Sequence, residues 1–319
     1  MRVLLIGHRN PWRMEAAVER AMRRAGHQTL LFDDRRTSRL VGRALTQRLA
    51  LHAAHRFRAD FVFLSKCLAL ELETVDTIIG DRPNAMWYHD PQWYRDTDRA
   101  DVGHIANVGR LARVFFVTGF DDEWRALGLP ARFLPAAGDA GIVPVPPRAR
   151  YSSDVSFIGT GYDPERSSFL LALNEHVRVR VFGPGWEPWR DRLSWNGGPV
   201  EGREFAAVCS SARLCLGVLP ARATGATTYA SDRMWMVMLA GGFYLGAGTP
   251  ELHRMLRDGE HCAWYTDLPS CIRKAKHYLD APAERERIRN AGESFVRAHH
   301  TYDQRIAHLF SGDAYVSPT

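Results

Sequence analysis

Short apolar runs alternate with stretches of helical period along most of the chain, in β-then-α order. An apolar run at residues 3–7 predicts a first strand. The loop His8-Arg-Asn-Pro-Trp follows, then a helical pattern over 14–25 stopped by Gly26, and a second strand at 29–32. Further runs at 61–64, 85–88, 114–117 and 133–134 predict strands, with helical patterns near 38–56, 70–80, 99–110 and 121–127 between them. Repetition of this unit implies a parallel sheet covered on both faces. The stretch Val143-Pro-Val-Pro-Pro-Arg148 interrupts the pattern and predicts a linker at about 142–152. Beyond it the alternation restarts with strands at 154–159, 177–182, 214–218 and 262–265. Helices are expected at 164–174, near 201–211, from Thr249-Pro250 to Gly259, and near 268–279 and 283–297, ahead of an amphipathic tail. The expected fold is α/β, with two doubly wound, Rossmann-like domains at 1–146 and 151–298 and a helical tail at 299–319 that returns to the first domain.

The second half is organised around residues 228–246. Ser231 suits a helix N-cap, Asp232 and Arg233 fall in the first turn, and residues 234–240 are apolar all round. Gly241-Gly242 stops this helix before the strand-prone Phe243-Tyr244-Leu245. A helix N-terminus at the rim of a parallel sheet favours an anion, and an arginine there can grip a phosphate with two hydrogen bonds. The same residues also suit a plainer arrangement, in which Arg233 pairs with a carboxylate and the double glycine permits close packing. A second phosphate-type turn is expected at Gly159-Thr-Gly161, followed by Arg166 in the first turn of its helix. Glycine loops of this kind are common in α/β chains. In the loop Gly183-Pro-Gly-Trp186 the indole can stack on a base, although a packed loop anchor is the commoner role.

At 319 residues the chain is long enough for two cores. No run approaches the roughly 20 apolar residues of a membrane span, and residues 1–7 read as a strand rather than a signal peptide, so a cytoplasmic protein is expected. Five cysteines without Cys-x-x-Cys spacing read as reduced core residues. Net charge is +6, and all of it lies in residues 1–150. Residues 35–58 hold seven arginines and no acid. Such density suits a polyanionic partner or a solvated helix in an arginine-rich protein. On one helix, Arg35, Arg39 and Arg43 fall at i, i+4 and i+8 as an acceptor-binding stripe, with Leu40, Ala44 and Leu51 turned toward the sheet.

Two such domains resemble the GT-B glycosyltransferase architecture, in which a cleft is expected at facing strand ends. The blocks Asp154-Val-Ser-Phe-Ile-Gly159 with Arg166, Ser231-Asp-Arg-Met-Trp235 with Ala240-Gly-Gly-Phe243, Trp264-Tyr-Thr-Asp-Leu268, Ala291-Gly292 and His300-Thr-Tyr302 with Arg305 resemble the CgeB-like glycosyltransferases over about 151–310. In the first half the similarity is looser, through Trp87-Tyr-His-Asp-Pro91 and Leu134-Pro-Ala-Ala-Gly-Asp139. The resemblance implies a nucleoside-diphosphate sugar as donor, UDP-linked among the possibilities. It implies diphosphate binding by Gly159, Gly161, Arg166 and Arg233, with Gly183, Trp186, Ser231, Asp232, Gly241 and Gly242 around the donor. One departure concerns Met236, which stands where such families often carry a hydroxyl-binding glutamate; a thioether cannot accept those hydrogen bonds in the same way.

The leaving diphosphate needs positive charge or a helix N-terminus, which GT-B enzymes supply without a bound metal, so the resemblance implies neither metal nor cofactor beside the donor substrate. An acceptor hydroxyl needs a base within reach, and the candidates are Asp90 with His89, after the fourth strand, and His8, after the first. An Asp-Pro turn accounts for Asp90 equally well, and a retaining enzyme needs no strong base. The leading expectation is a hexosyl- or pentosyltransferase whose acceptor is a modified base in DNA, a phosphorylated glycan or an anionic envelope surface. The competing reading is a GT-B-fold binding protein without catalysis, or a transferase acting on a neutral glycan or protein.

Overall fold

The computed structural model describes residues 1–90, 100–219 and 227–317; Pro91 of the Trp87–Pro91 stretch lies outside them. The chain divides into two compact units, one of Met1–Asp139 with Tyr302–Val316, the other built on Ala140–Thr301. The first holds six parallel strands, β1 (Arg2–Ile6), β2 (Gln28–Phe32), β3 (Phe61–Leu64), β4 (Asn84–Tyr88), β5 (Phe115–Val117) and β6 (Ala131–Phe133), in the order β2-β1-β3-β4-β5-β6. The second holds β7 (Ser153–Ile158), β8 (Val179–Phe182), β9 (Ser194–Trp195), β10 (Ala212–Gly217), β11 (Tyr244–Ala247) and β12 (Ala263–Tyr265), also parallel, in the order β12-β11-β10-β7-β8-β9. The α/β, doubly wound fold expected from the alternation is the one observed. β3 is buried at every residue, which is why it appears as an unbroken apolar run rather than an alternating one.

Each sheet has one point where strand order reverses, between β1 and β3 in the first and between β7 and β10 in the second. There the loops leaving neighbouring strands diverge to opposite faces and open a crevice at the carboxyl edge. The helix Tyr302–Ser311 returns to the first unit, where Tyr302, Ile306 and Leu309 join the core around Val3, Phe63 and Trp87. Its fastening explains several of the stretches noted above. Arg305 is buried and donates to the Pro135 carbonyl at 3.1 Å, the Tyr302 amide donates to the Gly138 carbonyl at 2.9 Å, and the Trp87 indole donates to the Leu134 carbonyl at 3.2 Å. Burial pushes the Arg305 guanidinium down to about 10. Leu134–Asp139 is thus a docking strip for the C-terminal helix.

Two expectations about residues 35–58 are corrected. The helical pattern forms two helices, Asp34–Val41 and Arg43–Phe57, separated by Gly42 at φ 81°, where a side chain would be strained. Arg43 therefore opens a new helix and does not continue the Arg35–Arg39 stripe. Of the residues expected to face the sheet, Leu40 is 74 % exposed, Ala44 is exposed and Leu51 is half-buried; Thr46, Gln47, Ala50 and Ala54 form the buried face of the second helix instead. The proline-rich stretch is fastened along the second unit: Arg297 donates to the carbonyls of Ala140 and Ile142, and the Arg148 amide donates to Ser211 Oγ at 2.8 Å. All five cysteines are buried and free.

Candidate functional site

The reversal point of the second sheet gathers two arginines. β7 ends at Ile158, and Gly159 follows; the helix Pro164–Asn174, capped by the Asp163 carboxylate on the amides of Glu165 and Arg166, brings Arg166 back over the strand end. On the neighbouring strand, β10 leads through a connection to the helix Asp232–Leu239, whose first turn carries Arg233. Both guanidinium groups lie over the Phe157 ring, at 5.5 Å for Arg166 and 5.7 Å for Arg233. A Cβ on Gly159 would stand 3.1 Å from Arg233 Nη1 and 2.9 Å from the Phe157 ring, so a glycine keeps this space open. Neither arginine forms an ion pair among the described residues. Arg166 Nε is buried without a partner, and Arg166 Nη1 donates to the Thr160 carbonyl at 3.2 Å. Burial first, and the charge of Arg233 second, push the Arg166 guanidinium below its ordinary value. Two like charges converging on one ring, with the Asp163 carboxylate acting on Arg166 but forming no ion pair with it, can hold an anion between them. Ser231 precedes the helix in extended conformation and makes no side-chain cap bond, leaving first-turn amides for a ligand.

Three buried tyrosines surround this point and had no signal in the sequence beyond strand propensity. The Tyr265 hydroxyl donates to the Gly217 carbonyl at 2.8 Å, and Tyr244 and Tyr229 are buried nearby, where their charge would act on Arg233 and Arg166. Burial raises the Tyr244 and Tyr265 hydroxyls, so they remain neutral donors at physiological pH. Met236 is half-buried one turn beyond Arg233. Asp232 is half-buried in the first turn.

Other residues expected at this site serve the scaffold. The Trp186 indole is fully buried, donates to the Gly159 carbonyl at 2.8 Å and meets the Phe157 ring edge-on at 5.8 Å, so it anchors the loop and stacks on no base. Gly183, at φ 125°, and Gly161 let two glycine loops touch: a Cβ on Gly161 would lie 2.3 Å from the Gly185 carbonyl oxygen, one on Gly183 2.4 Å from that of Gly159. Gly241 and Gly242 sit at the far end of the Asp232–Leu239 helix from Arg233. Gly241, at φ 73°, ends the helix, and a Cβ on Gly242 would press on Val237 and on Cys215 Sγ at 2.9 Å. Both are packing residues, and their assignment to the donor is corrected.

At the reversal point of the first sheet, His8 follows β1 and Lys66 follows β3, with Asp90 after the next strand, β4. His8 is partly exposed; its Nδ1 accepts from the Asn10 amide at 3.0 Å and lies 3.9 Å from the Asp33 carboxylate. Asp33 is held by the amides of Arg9 and Arg36 at 2.9 and 2.8 Å. With Nδ1 accepting from the Asn10 amide, a neutral ring carries its hydrogen on Nε2; a ring turned to donate Nδ1–H to Asp33 would instead present Nε2 as an acceptor. Asp90 is paired with the Lys66 ammonium, a partner that sequence reasoning passed over. His89 differs from both. Its two ring nitrogens are buried without partners, although the residue as a whole is half-buried, and the ring packs on Trp87 at 4.3 Å. Burial pushes it down to about 3, too weak for a base at neutral pH, so its catalytic assignment is corrected. Arg35, Arg39 and Arg43 are all exposed. Among the described residues no group of three His, Cys, Asp or Glu side chains could hold a metal, and no helix is long and apolar enough to cross a membrane.

Each unit is a doubly wound α/β domain with a six-stranded parallel sheet, and the fold matches GT-B structures over 98 % of the chain. The model of the glycosyl transferase-like family matches residues 166–311, which begin at Arg166 and include Arg233. No curated protein matches the chain. Among solved structures, the chain is similar to Anabaena HepE in complex with UDP (11 % identity, TM-score 0.63, covering 98 % of this chain and 100 % of that one). It is also similar to sucrose-phosphate synthase from Thermosynechococcus elongatus (13 %, 0.65, 98 % and 98 %). A third is an alpha-glucosyltransferase in complex with UDP and a mismatched 13-mer DNA (12 %, 0.66, 98 % and 99 %). At these identities the likeness is one of fold.

Proposed function

We propose that this protein is a glycosyltransferase that takes a sugar from a UDP-sugar and passes it to an acceptor hydroxyl. The observation that carries the reading is the convergence of Arg166 and Arg233 on Phe157 beside Gly159, without a carboxylate partner among the described residues. That geometry suits the diphosphate, whose charge grows as the glycosidic bond breaks, so the pair stabilises the leaving group more in the transition state than in the bound donor. The UDP complexes among the fold relatives support the choice of nucleotide. Met236 leaves donor hydroxyls without one carboxylate acceptor; Asp232, on the same first turn as Arg233, takes that contact in this reading. His8, turned toward Asp33, is the base for the acceptor hydroxyl, and Asp90 with Lys66 orients the acceptor. The excess of arginine in residues 35–58 supports an anionic acceptor or acceptor surface. The DNA-bound fold relative favours a second reading, in which the acceptor is a hydroxylated base in DNA.

The test is a calorimetric panel of nucleotide sugars followed by mass spectrometry of products with DNA, phosphoglycan and lipid-linked acceptors. UDP-sugar binding, with turnover lowered roughly 10²–10⁴-fold in His8→Ala at unchanged donor affinity, is expected. Absence of binding by any nucleoside diphosphate would leave a non-catalytic protein of this fold, and normal turnover in His8→Ala with loss in Asp90→Asn would transfer the role of base.

A further inference from the structure

The corner formed by the helices Asp34–Val41 and Arg43–Phe57 combines two features that a solvated face does not need together. Leu40 is 74 % exposed, Leu45 44 %, Val41 41 % and Leu49 37 %, and all four fall within ten residues on either side of Gly42. Among and beside them stand Arg35, Arg36, Arg39, Arg43 and Arg48, also exposed. Beyond them the next acids are Asp60, Glu71 at the N-cap of the helix Leu72–Ile79, and Glu73 and Asp76 on it. On the second helix Thr46, Gln47, Ala50 and Ala54 face inward, which places Leu45, Leu49, Arg48, His52 and Arg56 on the opposite side. The Gly42 bend prevents one continuous helix, so Leu40 and Val41 end the first helix and Leu45 and Leu49 lie in the first two turns of the second.

We propose that this corner docks the protein on an anionic lipid bilayer, with the arginines at the phosphate level and Leu40, Val41, Leu45 and Leu49 inserted below it. Charge complementarity selects the partner. A second copy of the chain would present the same seven arginines and be repelled. The backbone of duplex DNA would satisfy the arginines and leave four large apolar side chains in water. A bilayer interface accepts both, because basic side chains gain from the negative surface potential and apolar ones from leaving water. The inference does not rest on the donor reading: it concerns the other unit and is measured without nucleotide.

Flotation of the full chain with vesicles of 70:30 phosphatidylcholine:phosphatidylglycerol, against pure phosphatidylcholine, tests it at about 0.1 M salt. Binding to the mixed vesicles alone is expected. Arg35→Glu/Arg39→Glu/Arg43→Glu should lower the partition coefficient at least roughly 100-fold, about fivefold for each positive charge lost at the surface. Leu40→Ser/Leu45→Ser/Leu49→Ser changes only exposed positions and should lower it at least about 30-fold while leaving the melting temperature unchanged. A 30-base-pair duplex serves as competitor. No binding to the mixed vesicles overturns the proposal. So does binding that survives the leucine substitutions, and so does tighter binding to the duplex that ignores those substitutions, which would assign the face to DNA.

Discussion

Replacing Arg233 by methionine should make the ligand-free protein more stable and the nucleotide complex weaker, and the two effects follow from one geometry. Both guanidinium groups lie over the ring of Phe157, at 5.5 and 5.7 Å, so they are no more than about 11 Å apart. At an effective dielectric of about 20, two positive charges at that limit repel by roughly 1.5 kcal/mol, and solvent at the half-exposed Arg233 reduces this to about 1. Methionine keeps the apolar stem and the helical propensity while removing the charge. The free protein should therefore gain about 1 kcal/mol in urea denaturation. Binding of UDP loses a charge-assisted contact and should weaken by about 1.5–3 kcal/mol, which is roughly 10- to 150-fold in Kd by calorimetry. The opposite signs are the discriminating feature. If Arg233 were engaged in a structural pair, the variant would be less stable, and a destabilised variant with unchanged UDP affinity would refute the assignment of this crevice to a diphosphate.

Two further outcomes follow from the scaffold. Gly161→Ala would place a methyl 2.3 Å from the Gly185 carbonyl oxygen, a backbone atom that cannot swing aside; the two glycine loops must part, costing about 1–3 kcal/mol of stability and weakening UDP binding, whereas an unaltered melting curve would show the loops to be loosely packed. His89 is neutral in the folded chain until about pH 3 but titrates at 6.5 when unfolded, so the unfolded state takes up the proton first. Its contribution is nil above pH 6.5, and stability is lost as pH falls through the window from 6.5 toward 3, by about 2 kcal/mol at pH 5. Denaturation of wild type and His89→Leu from pH 7 to 5 should show a shallower acid limb in the variant, and parallel limbs would mean that the ring is not shielded from water.

The sheets were legible because their strands are covered on both faces: runs such as Phe61–Leu64 carry no polar residue, and each is followed by a helix-length stretch. The short edge strand Ser194–Trp195 escaped notice because two residues hold no periodicity, and the break at Gly42 escaped it because arginines continue across the bend without a change in composition. A stripe drawn by counting i, i+4 and i+8 assumes one unbroken axis, and one residue at φ 81° removes that assumption. Arg166 and Arg233 could each be picked from their place in a first helical turn, but their convergence on one ring depends on β7 and β10 being neighbours, and strands 59 residues apart at Ser156 and Cys215 give no local sign of pairing. Tyr229, Tyr244, Tyr265 and Lys66 were missed for the same reason. Each looks locally like strand or loop, and only the fold brings them to a crevice.

The glycines show where such reading reaches its limit. Gly159, Gly161, Gly183, Gly241 and Gly242 are indistinguishable in sequence as candidate phosphate loops, since each admits backbone close to something. What approaches them differs: the Phe157 ring and, a little farther, an arginine at Gly159, a second glycine loop at Gly161 and Gly183, Pro144 at Gly241, and Cys215 and Val237 at Gly242. Only the first opens toward charge. A glycine therefore specifies that space is needed, and the chemistry of the atom that would collide with its missing Cβ specifies for what. Of these five glycines, Gly159, at the end of β7, is the one whose missing Cβ has a charged group among its nearest neighbours. Arg166 and Arg233 have no carboxylate ion pair among the described residues, and Arg166 Nε is buried without a partner although its Nη1 reaches the Thr160 carbonyl.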